Sequence, residues 1–369
     1  MRVVVLASYA DSLINFRSLM LKAIIDNGHE VIALAPKISP KTRNQLHKLG
    51  VSSHSISLQR TGMNLYKDLR DYRSLLQLLR ELQPDKILSY TVKPVIYGSL
   101  AAATARVPEI YSMITGLGYS FMGRSLKDKI IGRGVRLLYR LAIRKNHKVF
   151  FQNLDDRDLF YKLKLLKTIS QSIIINGSGV DTEHYKPVSL PVPPVFLLVA
   201  RLLRDKGIEE YVAASSYLKR KHPEARFLLV GMYDSHPSAI NKEDIDCWQI
   251  DHGIEYLGFF EDIRGVIGQS NVYVLPSYRE GTPRSVLEAM SMGRPVVTTD
   301  APGCRETVDD GVNGFLVPVK ECEGLKIKME KLLLSRSLRE QMGKESRRLA
   351  IKKYDVHKVN QKILRNMGL

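Results

Sequence analysis

Apolar residues along this chain fall into short, nearly unbroken runs, separated by longer stretches in which they recur every three or four positions. Short runs rich in Val, Ile and Leu read as strands buried on both faces, and the longer stretches read as amphipathic helices that cover them. In the first half, strands are predicted near 2–8, 30–36, 52–58, 86–91, 109–115, 148–153 and 172–177, with helices between them, among these 12–27, 64–82, 93–106 and 122–146. A second series of strands follows at 195–201, 226–230, 254–258, 272–276, 295–299 and 315–317, and two mostly helical segments close the chain. Alternation of this kind predicts an α/β protein built on parallel sheets. Between the two series, residues 186–194 hold four of the sixteen prolines, which reads as a linker. The expected organisation is a domain over 1–186, a linker over 187–194, a second domain over 195–353 and a closing helix over 354–369. With 369 residues, each domain can bury its own core.

Composition narrows the setting. Cys247, Cys304 and Cys322 show no metal-ligand or disulfide spacing, which fits a reducing, cytoplasmic compartment. The opening Met1-Arg2-Val3-Val4-Val5 reads as a first strand and not as a signal peptide, and no apolar run approaches the roughly 18 residues of a spanning helix. A soluble or peripheral protein is expected. Nearly all of the +18 net charge falls in residues 1–187, so an anionic partner is expected for that half. Much of the excess lies in 123–148, where Lys127, Lys129, Arg133, Arg136, Arg140 and Arg144 alternate with Leu126, Ile130, Leu137 and Leu141 at near-helical spacing. A basic amphipathic helix can lie on an anionic bilayer; the competing reading is a core-packed helix with a solvated basic face. The charge asymmetry across the whole half favours the membrane surface.

The densest chemistry lies in Tyr278-Arg279-Glu280-Gly281-Thr282-Pro283-Arg284-Ser285-Val286-Leu287-Glu288. Gly281 permits a turn, Thr282 suits an N-cap and Pro283 suits the first helical position. A helix starting there aims backbone N–H groups, at Arg284 and Ser285 above all, and its positive dipole end at one spot that favours phosphate. Glu280 would lie just outside the helix start and Glu288 roughly 12 Å further along. Two acids in an arbitrary E-x7-E are more often solvated. Here the strand–turn–helix–strand context puts the turn at the carboxyl end of a parallel sheet, where open α/β folds bind ligands. Arg201 and Lys206 follow the first strand of the second domain and could meet the growing charge of a diphosphate leaving group, replacing a divalent metal.

Read together, Leu275 to Thr307, the segment Ala200-Arg201-Leu202-Leu203-Arg204-Asp205-Lys206-Gly207 and Ala301-Pro302-Gly303-Cys304-Arg305-Glu306 resemble a retaining group-4, glycogen-synthase-like glycosyltransferase of GT-B fold. In the first half, Tyr90-Thr91-Val92-Lys93-Pro94 and Ile114-Thr115-Gly116-Leu117-Gly118 resemble the bacterial branch that builds polyprenyl-diphosphate-linked oligosaccharides. The resemblance spans nearly the whole chain, with its specific motifs concentrated in the second half. It implies two Rossmann-like domains facing across a cleft and a UDP-sugar as co-substrate, with no metal or other cofactor.

Residue by residue, the resemblance implies that Glu288 holds the ribose hydroxyls and that Glu280 contacts the transferred sugar, with Arg201 and Lys206 beside the diphosphate. Gly281, Thr282, Pro283, Arg284 and Ser285 would line the sugar and phosphates. The base would rest near Gly231 and the 256–261 segment, with Tyr256, Gly258 and Phe259 as contacts. The first half departs from the family: Ser8-Tyr9-Ala10 replaces a Gly-Gly turn, and Tyr90-Thr91-Val92-Lys93 carries no histidine. Arg17, Lys93, Thr115 and Gly116 remain acceptor-side candidates.

The implied reaction moves an N-acetylhexosamine from a UDP-sugar to an undecaprenyl-diphosphate saccharide at the inner face of a bacterial membrane, during surface-glycan or glycoprotein-glycan assembly. It would proceed on one face of the sugar, with the departing phosphate helping to deprotonate the acceptor. Asp244-Ile245-Asp246 resembles a metal-binding D-x-D but sits in a charged loop or helix, so no metal site is expected. Two rivals stand beside this reading. A non-hydrolysing sugar-nucleotide epimerase would want several histidines and acids in the cleft. A nucleic-acid-binding protein would suit the basic pI, but helix-turn-helix, zinc and aromatic-basic signatures are missing.

Overall fold

The computed structural model describes residues 1–58, 65–116 and 126–369, with the backbone alone at Leu65 and from 126 to 131. These form two compact units: Met1–Ser178 with His357–Leu369, and Gly179–Val356.

In the first unit, seven strands form one sheet: β1 (Arg2–Leu6), β2 (Glu30–Pro36), β3 (Ser52–Ile56), β4 (Lys86–Tyr90), β5 (Glu109–Ile114), β6 (Lys148–Phe151) and β7 (Ser172–Ile174). They lie in the order β3-β2-β1-β4-β5-β6-β7, and every pairing is parallel. Alternate residues of β1 serve opposite faces. Val3 and Val5 enter one apolar cluster, and Val4 and Leu6 enter another. This two-sided burial is why the strands are written as continuous apolar runs. The helix Val356–Met367 returns to this unit, where Val359, Ile363, Leu364 and Met367 join the cluster of Val3 and Val5.

The second unit holds six parallel strands: β8 (Val195–Val199), β9 (Arg226–Val230), β10 (Ile254–Tyr256), β11 (Val272–Leu275), β12 (Val296–Thr299) and β13 (Gly314–Val317). Their order is β10-β9-β8-β11-β12-β13. In both sheets the strand order reverses beside the first strand, at β1/β4 and at β8/β11. Loops leaving these strands part in opposite directions and open a crevice at the carboxyl edge.

All thirteen predicted strands are present, most of them shorter at the carboxyl end, where residues leave the ladder for the edge loops. The helix expected over 12–27 divides into Asp11–Asn15 and Ser18–Asp26, interrupted at Phe16 and the buried Arg17. The helix expected over 93–106 opens with a π turn, Pro94–Gly98, before Ser99–Thr104.

The expected linker needs correction. Residues 187–194 belong to the second unit, and the chain passes between units at Ser178/Gly179 and Val356/His357. Proline lacks a donor but keeps its carbonyl, and those carbonyls are used: Pro191 O accepts from Asn271 Nδ2 at 2.9 Å, and Pro194 O accepts from Arg226 N at 3.0 Å. Val188 O accepts from Arg294 Nη1 at 2.7 Å. The passages themselves run side by side, with Val180 N donating to Tyr354 O and Val356 N to Val180 O. Gly179 has φ +71°, and a Cβ there would overlap Val356.

Arg294 is 1% exposed and donates to the carbonyls of Val188, Ile267, Gly268 and Met292. Burial lowers its pKa to about 10. Replacing it with Met would leave several buried carbonyls without donors. Arg294→Met is expected to cost the second unit about 2–4 kcal/mol, read as a lower urea midpoint. An unchanged midpoint would contradict this role.

Candidate active site

The chemistry of the second unit gathers at the carboxyl ends of β8 and β11, the two strands flanking its order reversal. After β8 the chain runs through Arg201 into a 3₁₀ turn, Arg204–Lys206, that ends on Gly207 with φ +72°. A Cβ at Gly207 would overlap the carbonyl of Pro276, so only glycine lets this turn rest on the loop after β11. Tyr278 N donates to Asp205 O at 2.9 Å and joins the same two loops. The result is direct: Lys206 Nζ donates to Glu280 Oε1 at 2.6 Å, although 74 residues separate them. Both side chains are largely buried, at 14% and 16% exposure.

The helix carrying the second acid spans Arg284–Ser291. Its start differs by one residue from expectation. Pro283, with φ −71° and ψ 113°, occupies the cap position in place of Thr282. Its carbonyl accepts from Val286 N at 3.1 Å and Leu287 N at 3.3 Å. Arg284 and Ser285 therefore head the helix, as the anion-cradle reading requires. Gly281 is buried and Thr282 half-buried in the turn before it. Gly303, at φ +82°, packs so closely that a Cβ would overlap the carbonyl groups of Glu280 and Gly281.

Glu288 lies on the inner face of this helix at 7% exposure. Burial raises its pKa above the usual carboxylate range, while Arg284 and the phenol of Tyr185 pull it back down. Arg284 Nε donates to Glu288 Oε1 at 2.8 Å, one helical turn away. A carboxyl whose folded-state pKa is raised loses folding free energy as pH climbs past its unfolded value. Burial of the Glu288 carboxyl therefore supports folding less as pH rises past that value.

Arg201 is not brought to this pair. Its Nη1 donates to Asp234 Oδ2 at 2.9 Å, and its side chain is half exposed. On the other side of β8, Gly231 follows β9, and a Cβ there would overlap Ala200 O. Gly231 N donates to Gly258 O at 2.9 Å, and Tyr256 OH donates to Gly231 O at 2.8 Å. Tyr233 meets Tyr256 edge-on with ring centroids 5.8 Å apart, and Phe259 is 57% exposed. Tyr233 and Tyr256 thus pair beside the backbone groups of Gly231 and Gly258.

In the first unit, Lys93 Nζ donates to Asp68 Oδ1 at 2.6 Å, and Tyr97 OH donates to the other oxygen of the same carboxylate at 3.0 Å. Both charges are at most 10% exposed, so Lys93 is a buried structural partner. Arg17 is 3% exposed and lies over the Tyr90 ring, 5.2 Å from its centroid. Burial pushes the Tyr90 phenol up to about 12, against the pull of Arg17 and Ser12. Thr91, with φ +70°, sits beside them and donates to Ser8 Oγ at 2.8 Å. Thr115 and Gly116 follow β5 half-buried, with Gly116 at φ +131°; Leu117 and Gly118 lie outside the described residues.

The basic helix spans Leu126–Ile143. Its core face is Val135, Tyr139, Ala142 and Ile143, whereas Leu137 and Leu141 are 57% and 49% exposed. The two leucines share the outer face with Arg133 and Arg144, and Arg136 and Arg140 flank it half-buried. The side chains of Lys127 and Lys129 lie outside those described. No helix among the described residues is long and apolar enough to cross a membrane. Asp244, half of the D-x-D, closes a capping box with Asn241 at the start of Lys242–Asp251 and pairs with Arg204 at 3.3 Å.

Sequence reasoning missed Ser277, Tyr185 and Asp234. Ser277 Oγ lies 2.8 Å from Glu280 Oε1, two residues beyond β11 in the same motif, so its position there was the available signal. No local pattern marked the other two.

Residues 181–349 match the family model "Glycosyl transferases group 1", and residues 18–165 match "Glycosyl transferase 4-like domain". The chain is 27% identical to the N,N'-diacetylbacillosaminyl-diphospho-undecaprenol alpha-1,3-N-acetylgalactosaminyltransferase of Campylobacter jejuni, over 99% of this chain and 98% of that one. It is 25% identical to the UDP-Gal:alpha-D-GlcNAc-diphosphoundecaprenol alpha-1,3-galactosyltransferase of Escherichia coli, over 71% and 70%. Among solved structures, Anabaena HepE in complex with UDP superposes with a TM-score of 0.78 at 19% identity, over the whole of both chains. The sucrose-phosphate synthase of Thermosynechococcus elongatus superposes with a TM-score of 0.79 at 17% identity, over 98% and 97%. With both family models matched in sequence order and both sheets of the fold in place, the chain belongs to the group-4 glycosyltransferases of GT-B fold.

Proposed function

We propose that this enzyme moves an N-acetylhexosamine from a UDP-sugar to a polyprenyl-diphosphate-linked saccharide, with retention at the anomeric carbon. The observation that carries the proposal is the Lys206–Glu280 pair held beside the start of the Arg284–Ser291 helix. A lysine from one edge loop, with a carboxylate and helix-start N–H groups from another, suits a ligand with a diphosphate at one end and a hydroxyl-rich ring at the other. Glu288, buried about one turn into that helix, is suited to accept ribose hydroxyls. The Tyr233–Tyr256 pair beside Gly231 and Gly258, with the exposed Phe259 next along the chain, is suited to a base. The names of the Campylobacter and Escherichia relatives, both acting on undecaprenol diphosphate saccharides, support the acceptor class.

In the proposed reaction the bond from the anomeric carbon to the diphosphate breaks while the acceptor oxygen bonds to that carbon on the same face. The acceptor proton passes to the departing phosphate oxygen. Lys206 and the helix-start N–H groups stabilise the charge that gathers there, so no divalent metal is needed. Arg201, paired with the carboxylate of Asp234, would join the phosphates only by exchanging that partner.

The outward face of the Leu126–Ile143 helix supports a peripheral position on an anionic membrane, with Leu137 and Leu141 entering the headgroup boundary between arginines. Lys93 drops out of the acceptor site as a direct contact, since freeing it would strand Asp68. Arg17, Thr115 and Gly116 stay as acceptor-side groups at the carboxyl edge of the first sheet.

Glu280→Ala is expected to lower turnover of a UDP-sugar by about 10²-fold or more, and Lys206→Ala to weaken UDP binding and slow turnover together. Near-normal kinetics in both would refute the site. Replacing Arg133, Arg136 and Arg140 together, or Leu137 and Leu141 with Ser, should reduce partition onto phosphatidylglycerol vesicles while UDP binding is kept. Unchanged partition in both sets would refute the membrane position.

A further inference from the structure

We propose that Ser277 is a positioning residue for Glu280: its buried hydroxyl and Lys206 hold the same carboxylate oxygen and fix the acid before a donor arrives. The inference rests on the donor-site reading of Glu280 and names a residue that reading leaves out.

Ser277 is fully buried, two residues past β11. Its Oγ lies 2.8 Å from Glu280 Oε1 and 3.2 Å from Asp205 O. A hydroxyl has one hydrogen to give, and the shorter contact, to a carboxylate, is the stronger acceptor. Lys206 Nζ donates to the same Oε1 at 2.6 Å. Two donors from different segments thus converge on one oxygen, which defines both the position and the rotation of the carboxylate.

Ser277 is itself held firmly. Its carbonyl accepts from Thr299 Oγ1 at the end of β12 and lies 3.8 Å from Cys304 Sγ. The backbone of the neighbouring Tyr278 is tied to Asp205 O, beside Lys206. Glu280 N in turn donates to Pro302 O at 2.9 Å. Three edge segments, 204–207, 277–281 and 299–304, therefore meet around one serine, and its hydroxyl passes their rigidity to the acid. A glutamate tied only to a lysine could swing with that flexible side chain. The added short hydroxyl, on rigid backbone, removes that freedom and presents the carboxylate in one orientation.

A hydroxyl that merely joined loops would affect folding or ligand binding as a whole. One that positions Glu280 should act on turnover and only through Glu280. Ser277→Ala is expected to lower kcat for UDP-sugar turnover about 10-fold, with KM and UDP affinity within about 2-fold and the melting temperature nearly kept. Ser277→Cys, close in volume but a weak donor, should fall between Ala and wild type. In a Glu280→Gln background, Ser277→Ala should add little, since the group it positions has already lost its charge.

Wild-type kcat in Ser277→Ala, while Glu280→Gln is impaired, would overturn the positioning role and leave the donor site standing. Parallel loss of UDP binding and turnover, or full additivity with Glu280→Gln, would reduce Ser277 to a structural serine. No effect of Glu280→Gln itself would instead remove the donor-site reading.

Discussion

The contact between Lys206 and Glu280 is the constraint on which the second unit's edge depends. Bringing a lysine and a glutamate out of water costs free energy that only close pairing can offset. The chain secures that pairing with backbone devices: a left-handed Gly207 against Pro276, an amide from Tyr278 to Asp205, and Gly303 laid on the carbonyls of Glu280 and Gly281. The two glycines allow approaches that a side chain would block. The pair is therefore a product of the β8/β11 order reversal, which places the two loops next to each other in the first place.

In the proposed reading this charge pair has a use beyond stability: Lys206 and the amides at the start of Arg284–Ser291 would meet anionic oxygen, and Glu280 would hold the lysine in place. The second acid illustrates the same trade. Glu288 is buried against its own ionisation, relieved by Arg284 and Tyr185, at a cost to folding. Tyr185 is anchored from behind, its carbonyl accepting from Ser291 Oγ at 2.8 Å and from Arg347 Nη1 at 3.1 Å. Tyr185 and Arg347, both in the second unit, are thereby tied to the end of the Arg284–Ser291 helix.

Much of this was legible in the sequence because it is local. Strands buried on both faces announce themselves as apolar runs, and all thirteen were placed. The turn and helix that carry the E-x7-E were legible, to within one residue at the cap, because they are contiguous in sequence. What escaped depends on partners far along the chain. Asp68 takes Lys93 from 25 residues away and Asp234 takes Arg201 from 33, and no pattern around either basic residue signals a carboxylate. Leu137 and Leu141 were assigned to a helix whose spacing allowed either face, and only packing by Val135, Tyr139 and Ile143 turns them outward. The prolines of 187–194 mark an extended segment correctly but not a boundary, because extended backbone can dock as readily as it can link.

We propose a phosphate site that works through side-chain and backbone donors without a metal. It is tested most directly by titrating UDP into the wild-type protein and Lys206→Ala in a calorimeter, with and without EDTA. The account predicts saturable binding to the wild type that EDTA leaves unchanged, that weakens as salt is added, and that is much reduced in Lys206→Ala. No binding of UDP, or binding that EDTA abolishes, would contradict it.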